Sequence, residues 1–138
     1  MYPEEQVKPM REELTMVGFQ ELKSASEVDG VMSTEDGTTF LVVNSVCGCA
    51  AGNARPGVHM ALKNDALPDR LVTVFAGQDA EATAKARSYM AGYPPSSPSM
   101  ALFRDGQLVH MIPRHEIEGR LPQQIADELK GAFNSFCK

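Results

Sequence analysis

Apolar and polar residues recur along the chain with two different spacings, and each spacing predicts one kind of element. Between residues 3 and 17 the apolar side chains return every three or four positions, which is typical of one face of a helix. These side chains are Val7, Met10, Leu14 and Val17. At 38–46 and 70–76, apolar and β-branched residues follow one another almost without interruption, which predicts strands buried on both faces.

Local signals indicate where further helices begin and bend. Ser24 and Glu27 have the spacing of a capping box at the start of a helix. Asp79 is expected to cap a later helix. Pro56 interrupts an alanine-rich helical stretch and is expected to bend or split it near Arg55.

The predicted helices and strands alternate until a hairpin, signalled by Asp105-Gly106, joins the last two strands. In chain order they are a helix at 3–17, a strand at 19–22, a helix at 24–32, a strand at 38–46, a helix at 49–64, a strand at 70–76, a helix at 79–90, strands at 99–104 and 107–112, and a helix at 121–136. This order predicts an α/β fold with a central mixed sheet and helices on both faces.

Composition narrows the class of protein. The 138 residues are 43% apolar and 22% charged, which is ordinary for one globular domain, and no linker or repeat divides 1–138. A net charge of −5 gives no basic excess, so nucleic acid is not an expected partner. The chain has no apolar run of the roughly 20 residues that cross a bilayer, and its N-terminus is acidic rather than signal-like. We therefore expect no export by the secretory route and no membrane partner.

The three cysteines, Cys47, Cys49 and Cys137, are too few and odd in number for a disulfide framework. Cys47 stands where a buried strand ends and a helix begins. There, unpaired backbone N–H groups and the helix dipole favour a thiolate and lower its pKa. We expect Cys47 to be the more exposed and more acidic nucleophile, and Cys49 to be a shielded thiol that displaces what Cys47 holds. A disulfide between them would close a tight ring, and the backbone freedom of Gly48 reduces the strain of that ring.

Other interpretations of these thiols remain open. Two cysteines separated by one residue are a weak motif, and free cysteines are often simply buried in a core. With His59 and Cys137, the pair could form a zinc or iron–sulfur binding module, although the spacing does not match usual zinc sites. For Cys137 itself we predict a free thiol, and a resolving role is the alternative.

A second motif stands upstream of the hairpin, where Pro98 immediately precedes an apolar strand. With a redox cysteine after a central strand, this arrangement resembles the thioredoxin fold. The resemblance implies that the Ser97–Pro98 bond is cis, and that the Ser97 backbone faces Cys47 and pairs with a bound substrate. It also makes the N-terminal helix an addition to the fold.

Longer stretches resemble the bacilliredoxin family, and they span almost the whole chain. They are Val-Val-Asn-Ser-Val-Cys-Gly-Cys-Ala-Ala-Gly at 42–52, Ala-Arg-Pro at 54–56, Val-Phe-Ala-Gly-Gln-Asp at 74–79, Pro-Ser-Ser-Pro-Ser-Met-Ala at 95–101 and Ile-Pro-Arg-His-Glu-Ile-Glu-Gly at 112–119. The resemblance implies a cytosolic enzyme that removes bacillithiol from S-bacillithiolated client proteins, with Cys47 taking over the bacillithiol. Bacillithiol is then a co-substrate, a disulfide reductase is a further partner, and no metal or tightly bound cofactor is needed.

The sequence departs from ordinary thioredoxins, which keeps a second activity open. It has no Trp before Cys47, no pair of cysteines two residues apart and no acid in the strand at 40–44. Efficient general dithiol reduction is therefore not expected, but disulfide isomerase or reductase activity of the cysteine pair is the alternative. Asn44 and Ser45 are interpreted as structural hydrogen-bonding residues. Arg55 and Arg114 could bind carboxylates of bacillithiol, although solvated surface charge is the favoured interpretation.

Overall fold

The computed structural model describes residues 1–137, in which five strands alternate with helices in the predicted order. The elements are α1 (Glu4–Thr15), β1 (Gln20–Glu21), α2 (Ala25–Met32), β2 (Thr38–Asn44), a π-helical turn (Ala50–Ala54), α3 (Arg55–Ala61), β3 (Arg70–Phe75), α4 (Ala80–Ser88), β4 (Ser99–Arg104), β5 (Gln107–Ile112), a 3₁₀ turn (Arg114–Glu116) and α5 (Pro122–Phe136). The α/β fold with a mixed central sheet is confirmed.

The five strands form one sheet in the order β1-β3-β2-β4-β5. β1, β3 and β2 are parallel, β4 runs antiparallel to β2, and β5 runs antiparallel to β4. β2 is the central strand, and all seven of its residues are buried, as its apolar sequence predicted. Asp105 and Gly106 have φ values of 52° and 82° in the hairpin between β4 and β5, which are the left-handed angles of a two-residue hairpin turn.

Helices cover both faces of the sheet. Alternate residues of β2 point to opposite sides, and all of them are buried, so both faces need a covering layer. On one face Phe40 packs against the rings of Phe19 and Phe133, in a core shared with α3 and α5. On the other face Leu41 and Val43 pack in the core that α2 and α4 cover. The two cores fix the direction of β2, and therefore the place where the chain leaves the sheet.

The N-terminal helix α1 is held to the rest of the molecule by a buried cation. Arg11 is ion-paired with Glu4, Glu21 and Asp79, and its guanidinium lies over the ring of Phe75. Asp79 occupies the N-cap position of α4, as predicted, but its side chain makes no capping hydrogen bond, because the carboxylate pairs with Arg11 instead.

Other predicted helix features can be compared directly. The Ser24 hydroxyl accepts a hydrogen bond from the backbone N–H of Glu27, as the capping-box spacing predicted. Pro9 lies inside α1, which continues through it as one helix. The helix predicted at 49–64 is divided at the expected place, since a π-helical turn precedes Pro56 and α3 follows. Within residues 1–137 no helix has both the length and the apolar character to cross a bilayer.

Candidate active site

The end of β2 and the helical turn after it position the two thiols. β2 ends at Asn44, and the chain turns back into a helix within a few residues. The carbonyl oxygen of Cys47 accepts hydrogen bonds from the backbone N–H groups of Ala50 and Ala51, at 3.0 and 3.2 Å. Cys47 therefore occupies the amino end of that helical turn, where backbone N–H groups are available to a sulfur atom.

The two sulfur atoms of the motif are close together, and a hydroxyl lies beside one of them. Cys47 Sγ and Cys49 Sγ are 3.3 Å apart, and the Ser45 hydroxyl donates to Cys47 Sγ over the same distance of 3.3 Å. Both thiols are free and half-buried. The structure therefore does not separate them into an exposed and a shielded thiol, as the sequence had led us to expect.

The surroundings nevertheless make the two thiols chemically different. Burial opposes ionisation of Cys47, but hydrogen bonds from Ser45, from Cys49 and from the backbone N–H groups of Ala50 and Cys49 outweigh it and lower the pKa of this thiol. Burial and the adjacent Cys47 sulfur raise the pKa of Cys49. The arrangement therefore favours ionisation of Cys47 over ionisation of Cys49.

The loop before β4 lies at the same end of the sheet as the thiols. Val43 pairs with Ser99 in the antiparallel ladder, so continuing this register places Pro98 and Ser97 beside the segment that leads to Cys47. The Ser97–Pro98 peptide bond is cis. The guanidinium of Arg114 donates to the Ser97 carbonyl oxygen over 3.1 Å, which ties this loop to the end of β5.

Arg55 lies beneath the thiols, and its interpretation as solvated surface charge was wrong. The residue is 1% exposed, and its guanidinium donates to the Asn44 side-chain oxygen and the Ser45 carbonyl oxygen over 2.8 and 2.9 Å. Its Nε pairs with Glu13 of α1 over 2.9 Å. Because its partners come from the protein itself, Arg55 is a structural cation that supports the turn leading to Cys47.

The metal-binding set considered from the sequence is not brought together. Cys137 lies against Thr38 and Asp69, at the end of β2 opposite to the thiol pair. The seven residues of β2 span roughly 20 Å, which also separates Cys137 from any resolving role at Cys47. The ring of His59, half-buried on α3, contacts the Glu13 carbonyl oxygen. Across residues 1–137 the structure contains no group of three or more His, Cys, Asp and Glu side chains suited to a metal ion.

Sequence reasoning underestimated three residues of this site. Ser45 was interpreted as structural, although its hydroxyl reaches Cys47 as well. The location of Arg114 could have been inferred, since it follows the end of β5 at the same edge where β4 begins after Pro98. No sequence signal indicated the burial of Arg55, because it depends on Glu13 from a distant helix.

Comparison with known proteins identifies the family of this chain. The family model described as disulphide isomerase matches residues 2–137. A bacilliredoxin of Halalkalibacterium halodurans is 56% identical over 137 residues, which make up 99% of this chain and 95% of that protein. The chain belongs to the bacilliredoxin family. A second bacilliredoxin, from Koribacter versatilis, is 54% identical over 99% of this chain and 94% of its own length.

Solved structures show the same fold at low sequence identity. A thioredoxin mutant from Halobacterium salinarum superposes with a TM-score of 0.58 at 20% identity, covering 88% of this chain and 93% of that one. Thioredoxin O2 of Arabidopsis thaliana gives 0.57 at 16% identity, covering 89% and 97%. The fold is therefore thioredoxin-like. Fold and family together make the bacilliredoxin-family chain a thiol–disulfide oxidoreductase, which implies redox partner proteins in general.

Proposed function

We propose that this protein removes bacillithiol from S-bacillithiolated client proteins through a mixed disulfide on Cys47. Cys47 is the attacking residue, Cys49 is the resolving residue, and Gly48, Ser97 and Pro98 shape the place where the substrate disulfide lies. Bacillithiol is a co-substrate in this reaction, which takes place in the cytoplasm and needs no tightly bound cofactor.

The first step is a thiol–disulfide exchange. The Cys47 thiolate attacks the bacillithiol sulfur of the client disulfide in line with the sulfur–sulfur bond. A new bond forms between Cys47 and bacillithiol, the old bond breaks, and the client cysteine leaves as a thiolate that takes up a proton. No net oxidation occurs, because one disulfide replaces another.

The second step regenerates Cys47. Cys49 loses its proton and attacks Cys47, which releases bacillithiol as a thiolate and leaves a disulfide between the two cysteines. The sulfur atoms are 3.3 Å apart, so they must approach by a little over 1 Å to reach the bond length of about 2.05 Å. A second bacillithiol can instead displace the first from Cys47. A disulfide reductase then supplies the electrons that reduce the resulting disulfide.

The observation that carries the proposal is the opposite direction of the two pKa changes at one pair of thiols. The pKa of Cys47 is lowered, despite burial, by donors that converge on its sulfur. Burial raises the pKa of Cys49, as does the Cys47 sulfur beside it. An exchange reaction that starts at one thiol and finishes at its neighbour requires this difference, since only the thiolate is nucleophilic.

The experiment traps the intermediate. Cys49→Ala protein is mixed with a bacillithiolated client, and the cysteine that carries bacillithiol is identified by peptide mass spectrometry. We expect bacillithiol on Cys47, release of the free client thiol, and neither product with Cys47→Ser. Transfer to another cysteine, or a client that stays modified, would contradict the proposal.

A matched control separates chemistry from folding. Cys137→Ser removes a thiol at the far end of the sheet and is expected to transfer bacillithiol as fast as the unmodified protein. If Cys137→Ser is as inactive as Cys47→Ser, the position of the reacting thiol has been assigned wrongly.

Disulfide isomerase or reductase activity is the second candidate. The family model is described as disulphide isomerase, and the close pair of sulfurs can form the disulfide that a dithiol reductase requires. This activity predicts disulfides between Cys47 and client protein in the trapping experiment, with no bacillithiol on the enzyme.

A further inference from the structure

Arg114 lies beside the loop that contains Ser97 and Pro98. β5 ends at Ile112, which pairs with Met100 near the start of β4, so the residues that follow β5 return to the loop before β4. There the backbone N–H of Arg114 donates to the Ser96 hydroxyl over 3.2 Å, and its Nη1 donates to the Ser97 carbonyl oxygen over 3.1 Å.

The guanidinium of Arg114 is fixed at two of its nitrogen atoms. Besides the bond from Nη1, its Nε pairs with Glu118 over 2.7 Å. Among residues 1–137 the third nitrogen, Nη2, makes no hydrogen bond, and the side chain is 40% exposed. A planar cation held in this way presents a donor to a ligand at a defined place.

Arg114 and Arg55 therefore differ in what they offer to a substrate. Arg55 is 1% exposed, and its Nε and Nη1 donate to Glu13, Asn44 and Ser45 inside the protein, so a ligand cannot reach its guanidinium. Arg114 retains both exposure and a free donor, and it lies close enough to the thiols for its charge to act on Cys49. A negative group on a disulfide that reacts at Cys47 would come within the field of this cation.

We propose that Arg114 is a specificity-determining residue that binds an anionic group of the small thiol in the mixed disulfide, and so places its sulfur for attack. This inference rests on the proposed function, since it concerns the substrate of the same site. Glu118 neutralises part of the cation, so we expect a preference for anionic disulfides of about fivefold rather than several orders of magnitude.

The test compares two small disulfides of similar length and opposite charge. These are 3,3′-dithiodipropionate, which is anionic, and cystamine, which is cationic. The rate at which each modifies Cys47 is measured at low salt in a Cys49→Ala background, and the ratio of the two rates is the readout. We expect Arg114→Gln to lower the anionic-to-cationic ratio about fivefold, and Arg114→Lys to lower it by less.

The matched control is Arg104→Gln, which removes the same charge from a side chain that is 51% exposed at the other end of β4. This variant is expected to leave the ratio within about twofold of the parent. An unchanged ratio in Arg114→Gln, or an equal fall in Arg104→Gln, would overturn the inference. If neither disulfide modifies Cys47 in the parent protein, the proposed function fails instead, because the nucleophile itself is then wrong.

Discussion

At the scale of single residues, burial opposes ionisation of both thiols, and the hydrogen-bond donors around Cys47 set its sulfur apart from that of Cys49. The Sγ atom of Cys47 accepts a hydrogen bond from the Ser45 hydroxyl and lies near two backbone N–H groups. Burial and the neighbouring Cys47 sulfur both oppose ionisation of Cys49. The Ser45 hydroxyl is the side-chain hydroxyl donor to Cys47, and a single substitution can remove it.

We therefore expect Ser45→Ala to raise the pKa of Cys47. A neutral hydrogen bond contributes about 0.5–1.5 kcal/mol, so the rate of alkylation below the pKa is expected to fall about two- to tenfold. The measurement is the rate of alkylation of Cys47 against pH. The plateau of the rate, which reports the thiolate, is expected to move to higher pH.

The lowered pKa of Cys47 also makes the stability of the reduced protein depend on pH. A thiol whose pKa is lowered by folding stabilises the reduced protein above its ordinary pKa, and this contribution is lost as the pH falls through the folded value. Ser45→Ala should reduce that contribution.

Ser88→Ala removes an exposed hydroxyl on α4 and is the control. Equal alkylation profiles for the two variants would show that Ser45 has no part in ionising Cys47.

At the scale of elements, α3 and α5 are in close contact at Gly57. A Cβ atom at this position would lie 3.0 Å from the side chain of Ile125 and 3.1 Å from the carbonyl oxygen of Pro122. The contact matters for the site, because α3 begins with Arg55 under the thiols.

Gly57→Ala is expected to lower the free energy of unfolding by about 1–3 kcal/mol, since overpacking forces one helix away from the other. Gly131→Ala, on α5, is the matched control: its new methyl group meets nothing within 4 Å, so higher helix propensity should leave stability unchanged or raise it by up to about 1 kcal/mol. Chemical denaturation measures both. A Gly57 variant as stable as the Gly131 variant would show that the two helices adjust without cost.

Elements were predictable where the cause is local. The apolar run of β2, the capping box at Ser24 and the turn at Asp105-Gly106 each contain the reason for their structure, and each was found. The π-helical turn after Cys49 was not predicted, because helical periodicity does not distinguish a turn with one extra residue. Pairings such as Arg55 with Glu13 join residues 42 positions apart and leave no pattern in either segment.

In the candidate site, too, the features with a local cause were predictable and those that depend on distant residues were not. Cys47 was placed at the amino end of a helix because a buried strand and an alanine-rich stretch flank it in the sequence. The half-buried state of both thiols depends on the packing of the folded chain, and the contact of Arg114 with Ser97 depends on the hairpin register. Both require the assembled sheet.

At the scale of the whole molecule, one buried cation connects the N-terminal helix to the sheet. Arg11 pairs with Glu4 of its own helix, with Glu21 of β1 and with Asp79, which precedes α4. Burial opposes the charge, but hydrogen bonds to the three carboxylates outweigh it and raise the pKa of Arg11. α1 also reaches the candidate site, through the pairing of Glu13 with Arg55.

Arg11→Met is therefore expected to destabilise the protein although methionine fills a similar apolar volume. Replacing every member of a buried ion cluster by apolar residues can be neutral, but removing one partner leaves the others uncompensated, at a cost of about 3–5 kcal/mol when they are fully buried. Glu21 and Asp79 remain 17% and 13% exposed, so water recovers part of their solvation and a loss of about 2–3 kcal/mol follows. Denaturant unfolding should show this loss, whereas Arg104→Met, which breaks a surface pair of 3.9 Å, should lose less than about 1 kcal/mol. Equal losses in the two variants would mean that α1 is held by its apolar contacts alone.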